Sequence, residues 1–116
     1  MITITKQDFE NNYTIKDHTI SRLKELGFRK YHLMTGEDCN WSIYKFPVCK
    51  YLGTTTLECE IKVNTDNGDI RVDIYDMDRE IFPMFYNEIT AWNKNFLATI
   101  NKKILNEFKK LGVIKK

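Results

Sequence analysis

The sequence motifs that are typical of common catalytic sites are missing here. The 116 residues contain no glycine-rich phosphate loop, no nucleophile elbow and no pair of histidines at zinc-binding spacing. The two histidines, His18 and His32, stand in unrelated sequence contexts, whereas a structural zinc ion needs about four ligands. We therefore predict that the protein is not an enzyme and that it holds neither a metal ion nor a cofactor.

Two further absences concern the compartment. No apolar run approaches the length of a membrane span, and the N-terminus lacks a basic start followed by an apolar segment. The three cysteines, Cys39, Cys49 and Cys59, are odd in number and cannot all pair within the chain. We expect a cytoplasmic protein with reduced cysteines and no membrane association.

Glycine and proline are scarce, at five and two residues, and no stretch looks like a linker. Hydrophobic residues make up 42% of the chain, which is enough for one core at this length. We predict one α+β domain over residues 1–116, ordered as helix, three-stranded antiparallel meander and long helix packed on one sheet face. Pro47 marks the end or the edge of the first strand. The expected elements are a helix over 15–26 capped by Gly27, an extended segment over 28–33, strands over 41–46, 55–64 and 70–76, and a helix over 86–111 ended by Gly112.

The last two strands give the strongest local signal. Apolar and polar residues alternate in both, and residues 66–69 between them are typical of a hairpin turn. Two registers fit, and the one that we prefer places Val63 opposite Val72. It also places Lys62 opposite Asp73, so that opposite charges face each other across the strands. The alternative shifts the pairing by two residues and sets Lys62 against another cation.

Charge is unevenly distributed along the chain, although the net charge is only +2. Residues 37–80 contain ten acidic and five basic side chains, whereas residues 94–116 contain seven lysines and one glutamate. Such polarity bears on partners rather than on fold. One hypothesis is that acidic side chains of the last two strands and of the following loop form a partner-binding surface, made of Glu58, Glu60, Asp73, Asp76 and Asp78. The competing interpretation is a solvated strand face and turn.

The lysines of the last helix point to a different partner. Four of them are candidates for contacts with nucleic-acid phosphates: Lys102, Lys103, Lys109 and Lys110. Nucleic-acid binding through these lysines is the alternative function. The order of helix, three strands and helix is similar to that of the double-stranded RNA-binding domain. In that family a lysine-rich signature opens the second helix, whereas this chain has the apolar stretch 81–86. The competing interpretation is a helix end whose lysines complement the helix dipole.

A third hypothesis is a small metal-dependent nuclease. Residues 60–62, Glu-Ile-Lys, match the E-x-K half of a nuclease motif in which carboxylates hold magnesium and Lys62 helps to position water. Asp73 on the neighbouring strand would supply a second carboxylate beside that of Glu60. The Pro-Asp pair expected upstream is absent, because Pro47 is followed by valine. The competing interpretation is a strand with alternating surface charges, in which these residues have no catalytic role.

Four segments carry a family resemblance: Leu-Lys-Glu-Leu-Gly-Phe at 23–28, Asp-Asn-Gly-Asp-Ile-Arg-Val-Asp-Ile-Tyr-Asp at 66–76, Phe-Pro-Met-Phe-Tyr at 82–86 and Lys-Lys-Leu-Gly-Val-Ile at 109–114. In these segments and in element order, the chain resembles small orphan proteins of phages and prophages of low-GC Gram-positive bacteria. Some of those proteins are anti-CRISPR inhibitors, which bind a host defence effector and block it. The resemblance implies a phage accessory protein that binds and inhibits a host protein in the host cytoplasm. It transfers no individual site residue, because the group shares no site motif.

Overall fold

The structure, a computed structural model, describes residues 6–32, 38–51, 55–76, 79–80 and 94–116. Three helices lie in these ranges: α1 (Lys6–Asn12), α2 (Asp17–Ile20) and α3 (Lys94–Leu111). The strands are β1 (Tyr13–Ile15), β2 (Arg29–His32), β3 (Asp38–Tyr51), β4 (Thr55–Asn64), β5 (Ile70–Asp76), β6 (Arg79–Glu80) and β7 (Val113–Lys115). The predicted α+β class and the C-terminal helix are confirmed.

The strands form two antiparallel sheets rather than a single three-stranded meander. The larger sheet has five strands in the order β2-β3-β4-β5-β6, and the smaller sheet pairs β1 with β7. The predicted strand number is wrong because β6 has two residues and β1 and β7 have three each, too few for alternation to show in the sequence. β1 and β7 also lie far apart along the chain, so no hairpin signal joins them.

The first strand of the predicted meander, β3, is longer than expected because it continues through Pro47. β2 pairs with β3 only as far as Arg29 opposite Ile43, so in the described sheet Pro47 faces β4 on one side alone. Its missing N–H therefore breaks no pairing, and the register shifts between Pro47 and Cys49. The sheet-edge interpretation of Pro47 is confirmed, and the strand-end interpretation is wrong.

The hairpin of β4 and β5 has the predicted bounds and the other register. Val63 lies opposite Ile70, and Lys62 lies opposite Arg71. The turn decides this pairing, because the Asn64 N–H donates to the Asp69 carbonyl at 2.8 Å and the Gly68 N–H donates to the Asn64 carbonyl at 2.8 Å. These two hydrogen bonds close the turn between β4 and β5 and so fix the register of the hairpin.

The first predicted helix is largely a series of turns. Its first residue, Ile15, belongs to β1, and α2 covers only four residues before turns continue to Gly27. The predicted cap is confirmed: Gly27 has a φ of 104°, its N–H donates to the Lys24 carbonyl, and the Phe28 N–H donates to the Leu23 carbonyl at 2.9 Å. This is the Schellman arrangement, and it turns Phe28 into the core. α1 precedes this region and was not predicted.

The core lies between α3 and the inner face of the larger sheet. Its members alternate along the strands and recur at helical spacing along α3. They include Phe46, Val48, Leu57, Cys59, Ile61, Val63, Ile70, Val72 and Ile74 from the sheet and Leu97, Ile100, Ile104, Phe108 and Leu111 from the helix. The predicted packing of α3 on one sheet face and its end before Gly112 are confirmed. The predicted first part of this helix, residues 86–93, lies outside the described residues.

Gly68 joins the hairpin turn to β1, and this contact gives a testable prediction. Gly68 has a φ of 79°, and a Cβ at this position would lie 2.5 Å from the Ile15 carbonyl oxygen. Gly68→Ala should lower the free energy of unfolding by about 2 kcal/mol, because alanine is strained at positive φ and backbone must move. Urea denaturation measures the change.

Gly112→Ala is the matched control for this substitution. Its φ is 75°, but a Cβ there would first meet the Thr19 side chain at 3.2 Å, which can rotate away. We expect a loss of about 1 kcal/mol from backbone strain alone. Equal losses at the two glycines would contradict the close approach of the turn to β1.

Candidate functional site

Three of the predicted acidic residues lie on the outer face of the larger sheet, which carries Glu58, Glu60 and Lys62 of β4 and Arg71, Asp73 and Tyr75 of β5. Glu58 is exposed, but only 6% of Asp73 is exposed. One Asp73 oxygen lies 3.1 Å from the Lys6 ammonium, and the other lies 3.0 Å from the Lys62 ammonium. Asp73 is therefore the centre of an internal ion-pair network.

The rest of this network also balances charge within the chain. Lys45 lies 3.6 Å from Glu60, whose side chain is 13% exposed.

Burial alone would lower the pKa of Lys62, but its hydrogen bond to Asp73 and the charge of Asp73 raise that pKa. Burial raises the pKa of Tyr75, with the charges of Asp73 and Glu60 adding to the effect. Both groups keep their protons at neutral pH, so neither is poised as a general base.

Two more predicted acidic residues fall at the end of this face. Asp76 is the last residue of β5, and the structure describes its backbone alone. Asp78 lies outside the described residues. The chain does not continue as one strand, because β6 turns back and pairs Glu80 with Tyr75. The prediction that all five carboxylates form a partner-binding surface stays a prediction, and Asp73 has a structural role whatever its outcome.

The edge of β5 is covered by charged side chains of α1. Glu10 accepts the Val72 N–H at 3.0 Å, and Lys6 donates to the Val72 carbonyl at 3.0 Å. Lys6 and Glu10 also pair with each other. These contacts satisfy backbone groups that a strand edge leaves open, so Lys6 links the edge of the sheet to the Asp73 network.

The nuclease hypothesis depends on Glu60, Lys62 and Asp73, which the fold does bring together. Glu60 lies opposite Asp73, and Lys62 reaches Asp73 diagonally. Each Asp73 oxygen already has a lysine, however, and among the described residues no three histidine, cysteine, aspartate or glutamate side chains are grouped to hold a metal ion. The described cysteine, Cys59, is buried, and burial raises the pKa of its thiol. The nuclease stays a prediction that Glu60→Gln would test.

The solvent side of α3 presents a different chemistry. Apart from Lys94, the first residue of the helix, its exposed residues lie on one stripe, which we name the α3 lysine face: Asn95, Thr99, Lys102, Lys103, Asn106, Lys109 and Lys110. The four predicted lysines are all on it. Lys102, Lys103 and Lys109 have no carboxylate partner in the described part of the chain. The face is basic and polar along its whole length.

The one acidic side chain of α3, Glu107, is turned partly inward. It accepts a hydrogen bond from the Tyr44 hydroxyl at 3.0 Å, and it lies 3.4 Å from the Lys110 ammonium. Burial raises the pKa of Tyr44, and the hydrogen bond and charge of Glu107 raise it further. Because the Lys110 side chain is exposed, its pair with Glu107 is weak and leaves the ammonium available to another anion.

A second basic surface was not predicted. A cleft of about 910 Å³, which we name the β2 cleft, lies beside the Gly27 turn and is lined by Lys24, Gly27, Phe28, Arg29, Lys30, Ser42 and Thr65. Its cations come from the turns before Gly27 and from β2, whereas Ser42 and Thr65 are brought to them by the fold of the sheet. The only signal was the spacing of Lys24 and the Arg29-Lys30 pair around a capping glycine.

Comparison with known proteins gives no indication of the function. No protein-family model matches the chain, and no curated protein or solved structure is similar to it. Within the residues that the structure describes, none of the helices has the length and apolar character needed to cross a bilayer. The exposed charges on α3 are therefore the feature from which a function can be argued.

Proposed function

We propose that the protein binds nucleic acid through the α3 lysine face. The observation that carries this proposal is the segregation of charge: four exposed lysines share one helix stripe, while Glu60 and Asp73 of the outer sheet face are paired with lysines of the chain itself, namely Lys6, Lys45 and Lys62. An unbalanced stripe of lysines attracts polyanions, since each phosphate contact releases condensed counterions. The protein acts as a binding module in this proposal, without catalysis.

The dimensions of the face suit a phosphate backbone. From Asn95 to Lys110 the helix rises about 22 Å, along which a duplex presents several phosphates on each strand. Lysines reach these groups as flexible point charges, and Asn106 and Thr99 add neutral polar side chains on the same stripe. Contacts of this kind carry no sequence information, so the proposal is for binding without sequence preference.

Neutralising two lysines of the face tests the proposal. Lys102→Gln with Lys103→Gln should reduce the slope of log K against log salt concentration by about 2 on duplex DNA, since each lost phosphate contact removes about 0.9. At low salt the affinity should fall at least about tenfold. Fluorescence anisotropy with a labelled duplex measures both quantities, and glutamine keeps the helix intact.

The control removes the same charge from the opposite side of the molecule. Lys45→Gln with Arg71→Gln changes two exposed cations of the outer sheet face. We expect the salt slope of this variant to stay within about 0.5 of the unmodified protein. An equal reduction in both variants would mean that net charge, and not the α3 lysine face, governs binding.

A host protein remains the competing partner, as the phage resemblance implies. Among the described acidic residues of the outer sheet face, Glu58 is exposed and has no ion pair, so it is the carboxylate that a basic partner would meet. Capture of one stoichiometric protein from a Gram-positive lysate, resistant to nuclease and lost with Glu58→Lys, would favour an inhibitor. Recovery of nucleic acid alone would favour the α3 lysine face.

A further inference from the structure

The α3 lysine face points directly away from the core. Successive residues of an α-helix are rotated by about 100°, so the exposed residues of the face cover an arc of about 120°. The centre of this arc lies opposite the buried side of the helix, which consists of Leu97, Ile100, Asn101, Ile104, Phe108 and Leu111. The polar side of α3 is therefore the side that a large partner meets first.

Within this face the cations lie along the two margins. Lys102 and Lys109 are seven residues apart and form one row, with about 10.5 Å between them along the helix axis. Lys103 and Lys110 form a second row with the same spacing, about 100° further around the helix. The midline between the two rows consists of neutral polar residues, namely Asn95, Thr99 and Asn106.

The acidic residue of α3 lies outside both rows. Glu107 follows the second row on the side of the sheet, where its carboxylate accepts a hydrogen bond from the Tyr44 hydroxyl at 3.0 Å. Its side chain is only 16% exposed. No carboxylate of α3 therefore lies between the two lysine rows.

Building on the proposed nucleic-acid binding by the α3 lysine face, we propose that α3 lies in the major groove of B-form DNA with one lysine row towards each strand. With its side chains an α-helix is about 10–12 Å across, and the major groove is about 12 Å wide. The two rows then face the phosphates of the two groove walls. A helix that lay along a single strand would need cations on its midline, where α3 has neutral residues.

The shape of the groove selects the class of nucleic acid. A-form RNA has a deep, narrow major groove that does not admit a helix, and a single strand offers no second wall for the second lysine row. Asn106 on the midline faces the groove floor, where every base pair presents hydrogen-bonding groups. Its amide both donates and accepts, so it can pair with different base edges and adds affinity without fixing a sequence.

Three duplexes of equal length and sequence test the docking mode: DNA, RNA, and DNA whose thymines carry bulky uncharged groups at C5, which project into the major groove. Fluorescence anisotropy at one salt concentration measures the three affinities. We expect the RNA and the groove-blocked DNA to bind at least about tenfold more weakly than the unmodified DNA, because the two lysine rows can no longer contact both strands.

Asn106→Ala places the midline in the groove. It should weaken binding to unmodified DNA about threefold, through the loss of a neutral hydrogen bond, and should leave binding to the groove-blocked DNA unchanged. Alanine favours the helix, so a loss of folding does not explain this result.

Lys102→Gln with Lys103→Gln, measured on the same three duplexes, separates this docking mode from the proposed function on which it rests. Binding that depends on these lysines but is equal for all three duplexes would overturn docking in the major groove and keep the α3 lysine face as the binding surface. Binding to DNA that does not depend on these lysines would overturn both.

Discussion

Asp73→Asn is expected to lower the free energy of unfolding by about 3 kcal/mol. The carboxylate is 8% exposed at its side chain and is held between the Lys6 and Lys62 ammonium groups, which are 15% and 25% exposed. Asparagine keeps the shape, but it leaves Lys62 without its counter-charge and Lys6 with Glu10 alone. Removing one partner of a buried pair costs about 3–5 kcal/mol. The lower end of that range applies because both lysines retain some contact with water.

Glu58→Gln is the matched control for Asp73→Asn, since it removes a carboxylate from an exposed position on the same sheet face. Its effect should stay within about 0.5 kcal/mol. The pKa of Lys62 is raised above 10.5, so its stabilisation is complete below that pH and is lost as pH rises through the raised value. Urea denaturation at pH 7 therefore measures the full effect. A loss below about 1 kcal/mol at Asp73 would contradict the ion-pair network.

Phe108→Ala should lower the free energy of unfolding by about 4 kcal/mol, the largest effect that we expect. Phe108 is 2% exposed on the inner side of α3. Its ring packs edge-on against Phe9 of α1, with centroids 5.5 Å apart, and at a tilt against Tyr13 of β1, with centroids 5.1 Å apart. Truncation of a buried phenylalanine costs about 3–5 kcal/mol through lost burial and the cavity left behind.

Ile114→Ala controls for the loss of apolar surface near the end of the chain. Ile114 lies on β7 and is 38% exposed, so its truncation should cost less than about 1 kcal/mol. Thermal and urea denaturation of both variants give the comparison. A loss at Phe108 no larger than the loss at Ile114 would show that α3 does not pack on α1 and β1 as the structure describes.

Local chemistry is what made part of this fold predictable. The bounds of β4 and β5 were right because strict alternation and an Asn-Gly turn are encoded within a few residues. Gly112 was right as a helix end, and Gly27 was right as a cap although it closes a series of turns rather than a helix, because positive φ favours glycine at both positions. The small β1–β7 sheet was missed, since pairing between three-residue strands far apart in sequence leaves no local signal.

The wrong hairpin register shows the limit of charge-pair reasoning. Lys62 was placed opposite Asp73 because opposite charges were expected to face each other. In the structure Lys62 lies opposite Arg71 and still reaches Asp73 at 3.0 Å, because a lysine spans the diagonal to the next residue pair. Arg71 turns instead to the Trp41 ring, at 4.6 Å from its centroid. Turn geometry, rather than charge, sets this register.

The candidate surfaces were predictable to different degrees. The lysines of α3 could be assigned to one exposed stripe from helical spacing alone. The sequence could not show that Asp73 is buried on the outer sheet face between two lysines, because Lys6 comes from a helix that was not predicted. The β2 cleft needed the sheet itself, since Ser42 and Thr65 meet the Gly27 turn only after β2 and β3 pair.

Chemical-shift mapping of the labelled protein with a short DNA duplex tests the central claim most directly. The account predicts that shifts concentrate on residues 99–110 of the α3 lysine face, shrink as salt is raised and are lost with Lys102→Gln and Lys103→Gln. Shifts confined to β4 and β5 around Glu58, or no shifts at low salt, would contradict it. The outer sheet face would then be favoured as the binding surface.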